Sequence, residues 1–276
     1  MKNVKFYPNQ AIYILLLIII SSTIIISSCN TNEQNLKVLI IQDEMPQIEV
    51  LAKFLRETGG INVTIVNQQA IPQNLSEFKA LIAFIHGKLE ETAEMAIIDY
   101  TKKGGRLICL HHSISSGKAK NKFYFDFLGI QLDNPESATK PVAPGGGYAW
   151  RDPVILTLVN LNPDHYITRH NVKWNEEIYY TSSDHPAIER KYPSISLEDS
   201  EIYLNHKFTD GREKVVLCGI KYYDDRNGQL FMQDRGSWIK NQGKGKIIYF
   251  IPGHKESDYE NQNISQMILN SIIWTP

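Results

Sequence analysis

The sequence predicts an α/β protein built on a doubly wound, mostly parallel sheet, and three observations carry that prediction. Uninterrupted apolar runs of strand length, such as Lys37-Val38-Leu39-Ile40-Ile41-Gln42, leave no polar face, as expected of parallel strands covered on both sides. Between them, apolar residues recur at helical spacing and the pattern stops at glycine. The resulting β-α-β-β-α-β order belongs to a sheet with helices layered against it.

The elements follow in order. After the strand at Lys37, residues Ile48, Leu51, Ala52 and Leu55 define one helical face that ends at Gly59-Gly60. Asn62 to Val66 and Ala80 to Ile85 are the next strands. Glu90 to Lys103 reads as a helix with Ala93, Ile97 and Tyr100 on one face, stopped by Gly104-Gly105, and the strand from Arg106 runs out at His111. Gln131 to Ser200 is rich in Pro, Asn and Asp and reads as an insertion or rim region. Its Gly145-Gly146-Gly147 cluster lacks the preceding strand and following helix of a phosphate cradle, so it reads as a flexible loop. Strands return at Lys214 to Ile220 and at Lys246 to Ile251, with a turn expected between Trp238 and Gly245. Ile264, Met267, Ile268 and Ile272 line a closing amphipathic helix that finishes at Trp274.

The N-terminus divides from the rest. Lys2 and Lys5 precede an apolar run from Ala11 to Ile20, and small residues lead into Cys29, the pattern of a secretory signal. An uncleaved anchor is the other possibility, although the run falls just short of the ~20 residues of a spanning helix. Ser27-Ser28-Cys29 resembles a relaxed bacterial lipobox. The expected organisation is therefore a signal peptide over 1–28, a lipid-bearing (palmitate) Cys29 with a polar tether over 29–35, and one domain over 36–276. Such a protein is anchored to a bacterial membrane, facing periplasm or exterior.

A formal net charge of −1 without long runs of one sign argues against nucleic acid as a partner, because neutralising phosphates takes clustered Lys and Arg. Cys109 and Cys218 lie inside apolar strand segments and read as buried small hydrophobes, too few for a disulfide framework.

Two histidines stand out. His111 and His254 each follow a buried strand, and the carboxyl ends of strands in an open α/β sheet form the rim where ligands bind. The segment Gly104-Gly105-Arg106-Leu107-Ile108-Cys109-Leu110-His111 resembles the glycine turn and histidine-ended strand of the ThuA-like (trehalose utilisation) family. His165-Tyr166-Ile167-Thr168 is similar to that family's His-Pro-Ile-Thr element, and Glu176-Glu177-Ile178-Tyr179 to its Asp-Glu-x-Tyr element. Gly243-Lys244-Gly245-Lys246 through Gly253-His254 is similar to its closing strand, and Ile273-Trp274 to the helix end beyond. The resemblance implies a flavodoxin-like, three-layer αβα sheet of the class I glutamine amidotransferase type, and a carbohydrate substrate reached through 3-keto sugars.

The residues set the expected chemistry. No cysteine occupies the turn after the strand ending at His111, and Cys109 points the same way but lies deeper, so amidotransferase chemistry is not expected. His111, Glu177 and His254 are the candidate catalytic groups, with His165, Tyr179 and Trp150 as candidate binding residues. A cofactor is not specified; a divalent metal on His111 and His254 is possible, although tight zinc-type spacing is missing. His112, His185 and His206 are expected at the surface. A 3-keto glycoside has an acidic proton beside its carbonyl, so a base can start elimination without the flanking carboxylates of an ordinary glycosidase. The alternative is a lipid-anchored sugar-binding or accessory protein that does no chemistry.

Overall fold

In the computed structural model, which describes residues 36–276, the apolar runs and helical stripes fall where their periodicity puts them. The expectations for the leader, Cys29 and the tether lie outside the described residues. The chain forms β1 (Lys37–Gln42), α1 (Met45–Gly59), β2 (Asn62–Val66), β3 (Ala80–Phe84), α2 (Glu91–Lys102) and β4 (Arg106–Leu110). It continues through α3 (Tyr124–Leu128), β5 (Ile130–Gln131), β6 (Ala149–Asn160), α4 (Tyr166–Arg169), β7 (Glu176–Thr181) and β8 (Glu189–Leu204). β9 (Lys207–Phe208), β10 (Lys214–Asp224), β11 (Gln229–Gln242), β12 (Gly245–Phe250), α5 (Glu256–Glu260) and α6 (Gln262–Ile273) complete it.

Ten strands join in the order β2-β1-β3-β4-β12-β11-β10-β6-β8-β7, and β5 and β9 form a separate pair. β2, β1, β3, β4 and β12 are parallel. Every later ladder is antiparallel. The expectation of a mostly parallel sheet thus holds for one half. The segment Gln131 to Ser200, expected to be rim, supplies β6, β7 and most of β8 and extends the sheet. These strands carry charges and prolines and mix buried with exposed positions, so no clean period of two announces them. The turn expected at Trp238 to Gly245 shrinks to Gly243-Lys244. Trp238, Ile239 and Lys240 pair with Tyr249, Ile248 and Ile247 inside the sheet. Lys240 is legible as a loop residue but is buried, its ammonium donating to the carbonyls of Leu128 (3.2 Å) and Gly129 (2.9 Å).

The strands of the parallel half are apolar on both faces because both are covered. Val38 to Ile41, Leu81, Ile82 and Leu107 to Leu110 have no exposed surface, each large aliphatic contributing about 1.5–3 kcal/mol on burial. α1 turns Ile48, Leu51, Ala52 and Leu55 inward and packs with α5 and α6, while α2 packs with α3. α1 ends at Gly60, which adopts φ +61°; the amides of Gly60 and Ile61 then bond back to Arg56 and Leu55, as a left-handed cap requires. The geometry that matters for function is simple. β1, β3, β4 and β12 all deliver their carboxyl ends to one edge of the molecule.

Candidate functional site

Each of those strand ends carries polar residues, and they converge. β1 leads into Asp43-Glu44, β3 into Ile85-His86, β4 into His111-His112, and β12 into Gly253-His254. The antiparallel half faces them with Asp152 on β6 and with Glu201 and Tyr203 on β8. The ring centroids of His111 lie 4.4 Å from His112 and 5.4 Å from His254, and those of His112 and His254 are 5.7 Å apart.

His111 is fully buried and holds φ +39°, a left-handed backbone that costs about 1–3 kcal/mol in a residue with a Cβ and that collects at functional sites. Its Nδ1 lies 2.6 Å from the carbonyl oxygen of Ile251, and its Nε2 lies 2.9 Å from Glu201 Oε2. Tyr203 donates its hydroxyl to the same Glu201 oxygen at 2.8 Å. His112 Nε2 is 3.5 Å and His254 Nδ1 3.4 Å from that oxygen as well. On their outer sides, His112 Nδ1 faces Glu44 Oε2 at 3.1 Å and His254 Nε2 faces Asp152 Oδ1 at 3.2 Å. His86 stacks on His112 at 4.3 Å and meets Glu44 Oε1 at 2.9 Å.

The electrostatics follow from burial and crowding. Burial, with His112 beside it, pushes the His111 imidazole below its ordinary pKa. Burial opposes the charge on His112 too, but Glu201 and Glu44 outweigh it and the pKa rises. His254, one-fifth exposed along its side chain, is raised chiefly by Glu201. Glu201 is held far below the carboxylate range by the three imidazoles against the pull of burial.

The surrounding loops are fixed. Asp258 Oδ2 accepts from the amides of Gly253 (2.9 Å) and His254 (2.8 Å) and from Ser200 Oγ (2.9 Å). Gly253 sits at φ +136°, and a Cβ there would run into the Tyr259 hydroxyl. Lys118, buried among the carbonyls of Ile85, His86 and His112, ties the segment after β4 to the end of β3. Burial brings its pKa down to about 7. Cys109 is buried with its thiol pushed up to about 12 by desolvation, so it is no thiolate nucleophile.

The residues singled out from sequence divide. His111 and His254 come together. Trp150 pairs with Tyr203 across β6 and β8 and borders the cluster. Glu177 and Tyr179 lie on the outermost strand β7, opposite Pro193 and Lys191 of β8. Pro193 precedes Glu201 by eight residues, roughly 25 Å of strand, so Glu177 is not part of the cluster. Tyr179 is 59% exposed with Lys191 over its ring. His165 caps α4 and its ring packs 4.9 Å from Trp274. Trp274 takes Arg106 and Lys246 over its face, at the amino ends of β4 and β12, so His165 belongs to the opposite end of the strands, roughly 16 Å away. His185 is exposed, but His112 and His206 are buried. Glu201, Glu44, His86 and Asp152 were not legible as site residues by motif. The strand-end rule that picks out His111, applied to β1 and β3, finds Glu44 and His86. Glu201 and Asp152, on strands that do not read as strands, have no such signal.

One donor atom from each of His111, His112, Glu201 and His254 lies within 4.8 Å of the others, and Glu44, His86 and His112 form a second such group. Either set can bind a cation or share protons.

A family model described as ThuA, trehalose utilisation, matches residues 37–275. No curated protein matches the chain. Among solved structures, a ThuA-like protein from Bacteroides uniformis superposes with a TM-score of 0.55 at 16% identity, over 86% of this chain and 89% of that one. A glutamine amidotransferase from Thermotoga maritima gives 0.44 at 8% identity, over 79% and 75% of the two chains. A β-galactosidase from Bacillus circulans gives 0.45 at 11% identity, over 84% of this chain but 30% of its own.

Proposed function

Because the chain belongs to the ThuA family, matched over residues 37–275, we propose that it processes a carbohydrate derivative at the cluster around Glu201, by elimination on a 3-keto glycoside. What carries this reading is the convergence of three imidazoles on one carboxylate oxygen, Glu201 Oε2, at the ligand-binding edge of the sheet. The same reading makes the two helix groups the outer layers of an αβα sandwich.

The roles follow from which atoms are free. Both nitrogens of His254 face carboxylates, Glu201 and Asp152, so this ring is poorly placed to take a proton from a substrate. Asp152 is one-third exposed along its side chain and meets His254 through Oδ1 alone, which leaves its other carboxylate oxygen outside that pair. Asp152 removes the proton from the carbon between the ketone and the glycosidic carbon. The electron pair forms an enolate whose charge the cluster's positive groups stabilise. The enolate then collapses, the glycosidic C–O bond breaks, and the departing oxygen is protonated, giving an unsaturated keto sugar and a free alcohol. The proton lost at one carbon is regained at the leaving oxygen, and no redox partner is consumed.

The test is turnover of 3-keto glucosides and ordinary glucosides by the full chain, read as ultraviolet absorbance of the conjugated product. We expect the 3-keto compounds alone to be cleaved and Asp152→Asn to lower kcat by about 10²–10⁴-fold, the worth of a positioned base. Recovery of every sugar intact from the unsubstituted protein leaves a binding protein instead. On the same reading, Cys29 carries a lipid anchor that holds the protein to a bacterial membrane facing periplasm or exterior. A mass shift of the N-terminal peptide that disappears in Cys29→Ala is the corresponding test.

A further inference from the structure

His111 presents a problem of proton placement. The Ile251 carbonyl can only accept, so at 2.6 Å the His111 Nδ1 must carry the hydrogen. In a neutral ring so arranged, Nε2 is a bare lone pair. It points at Glu201 Oε2, another acceptor, from 2.9 Å. The Tyr203 hydroxyl, 3.5 Å from His111 Nε2, donates at the shorter distance of 2.8 Å to that Glu201 oxygen.

The pattern repeats at the other two rings. Each has an outer nitrogen against a carboxylate, Glu44 for His112 and Asp152 for His254, and an inner nitrogen turned toward Glu201 Oε2. Glu44 Oε2, His112 Nδ1 and His254 Nδ1 are buried without a hydrogen-bond partner. Charging all three rings would place three imidazoliums within 6 Å of one another around a single carboxylate, where the low local dielectric magnifies their repulsion.

The geometry points to a divalent first-row metal ion of the zinc class, held by His111 Nε2, His112 Nε2, His254 Nδ1 and Glu201 Oε2. A tetrahedral ion with bonds near 2.0–2.1 Å sets its ligands about 3.3 Å apart. The three inner nitrogens lie 2.9, 3.5 and 3.4 Å from Glu201 Oε2. Metal-ligating histidines donate their far N–H to a carbonyl or carboxylate, which fixes the tautomer and orients the ring. The Ile251 carbonyl does this for His111, and Glu44 and Asp152 stand 3.1 and 3.2 Å from the far nitrogens of His112 and His254. Three imidazoles favour a transition metal over calcium or magnesium, which prefer all-oxygen sites. The exposed flank of His254 gives the ion an approach from solvent. The link to sugar chemistry, a Lewis acid for the ketone oxygen, rests on the proposed function; the four donors stand without it.

The test is metal binding by the full chain in mild detergent, stripped with a chelator and titrated with Co²⁺ and Zn²⁺. We expect one ion per chain, and cobalt absorption in the visible with the intensity of a four-coordinate site. Glu201→Gln and His254→Ala should each abolish that spectrum, and Asp152→Asn, which keeps all four donors and removes a carboxylate beside His254, should weaken affinity about 10–100-fold. His254→Ala alters a half-buried loop residue, and its circular dichroism should match that of the parent, so loss of metal is separable from loss of fold. Absence of stoichiometric binding by the parent chain, or an unchanged spectrum in both ligand variants, overturns the site. Stoichiometric metal without turnover of any keto sugar upholds the site and overturns the reaction.

Discussion

His206 shows how much a single residue's chemistry depends on where the sheet takes it. It is 1% exposed and neither ring nitrogen has a hydrogen-bond partner. Burial, then Arg235 and Lys240, push its pKa well below the ordinary imidazole value, with Asp184 opposing weakly. An unfolded histidine titrates near 6.5. The folded ring stays neutral while the unfolded one takes up a proton, so the stability it permits is full above about pH 6.5 and is lost as pH falls through that value, by at most about 1.4 kcal/mol per pH unit. Urea midpoints at pH 7.5 and 5.5 should therefore differ more for the parent than for His206→Gln, the two profiles diverging by about 1 kcal/mol. Parallel profiles would remove His206 from the acid response. The sequence places this histidine after Asn205 among polar neighbours, where nothing marks it as buried. Its burial is decided by Phe208, Trp238 and Tyr249, which pack against it or its neighbour from other strands.

At the scale of elements, the turn after β12 is where local backbone and site are most tightly joined. Gly253 needs φ +136°, and its amide and that of His254 both donate to Asp258 at the start of α5. Gly253→Ala should cost about 2 kcal/mol or more, from the disfavoured φ and from displacement of Tyr259. Asp258→Ala leaves two amide donors unpaired, each about 1–3 kcal/mol if it stays buried, and frees His254 to leave the cluster. Chemical denaturation measures both losses, and a change below 0.5 kcal/mol in either variant (roughly the scatter of a neutral surface site) would contradict the constraint. This turn was legible in part: an apolar strand running into Pro252-Gly253-His254 announces a strand end with a polar residue on the rim. β1 to β4 and α1, α2 and α6 were legible for the same reason, since each is buried on a face that its spacing displays. β6, β7 and β8 were not, because they border solvent irregularly and carry Arg151 and Glu201 inward as paired charges. Arg151, fully buried against Asp224 at 2.9 Å, looks from sequence like a surface residue. Glu201, at the centre of the cluster, was invisible for that reason.

Across the whole molecule, the cluster is a place where the parallel and antiparallel halves of the sheet meet through polar side chains. His111, His112 and His254 come from β4 and β12; Asp152, Glu201 and Tyr203 come from β6 and β8. Between them the sheet is continuous through β11 and β10, and Glu201 faces the rings across that span. A divalent ion at the cluster would therefore bind only when both halves are folded, and its binding energy adds to the stability of both. At a free ion concentration about 1,000 times Kd the gain is about 4 kcal/mol, which for a domain of this size corresponds to a rise in Tm of about 8–16 °C. Hydrogen exchange separates a shared effect from a local one. Zn²⁺ should slow the amides of Glu201 to Leu204 and of Arg151 to the same degree as those of His111 to Ser113 and Gly253 to His254, because opening either half releases the ion. Slowing confined to β4 and β12 would mean that the antiparallel half opens independently, and that Glu201 holds no share of the ion.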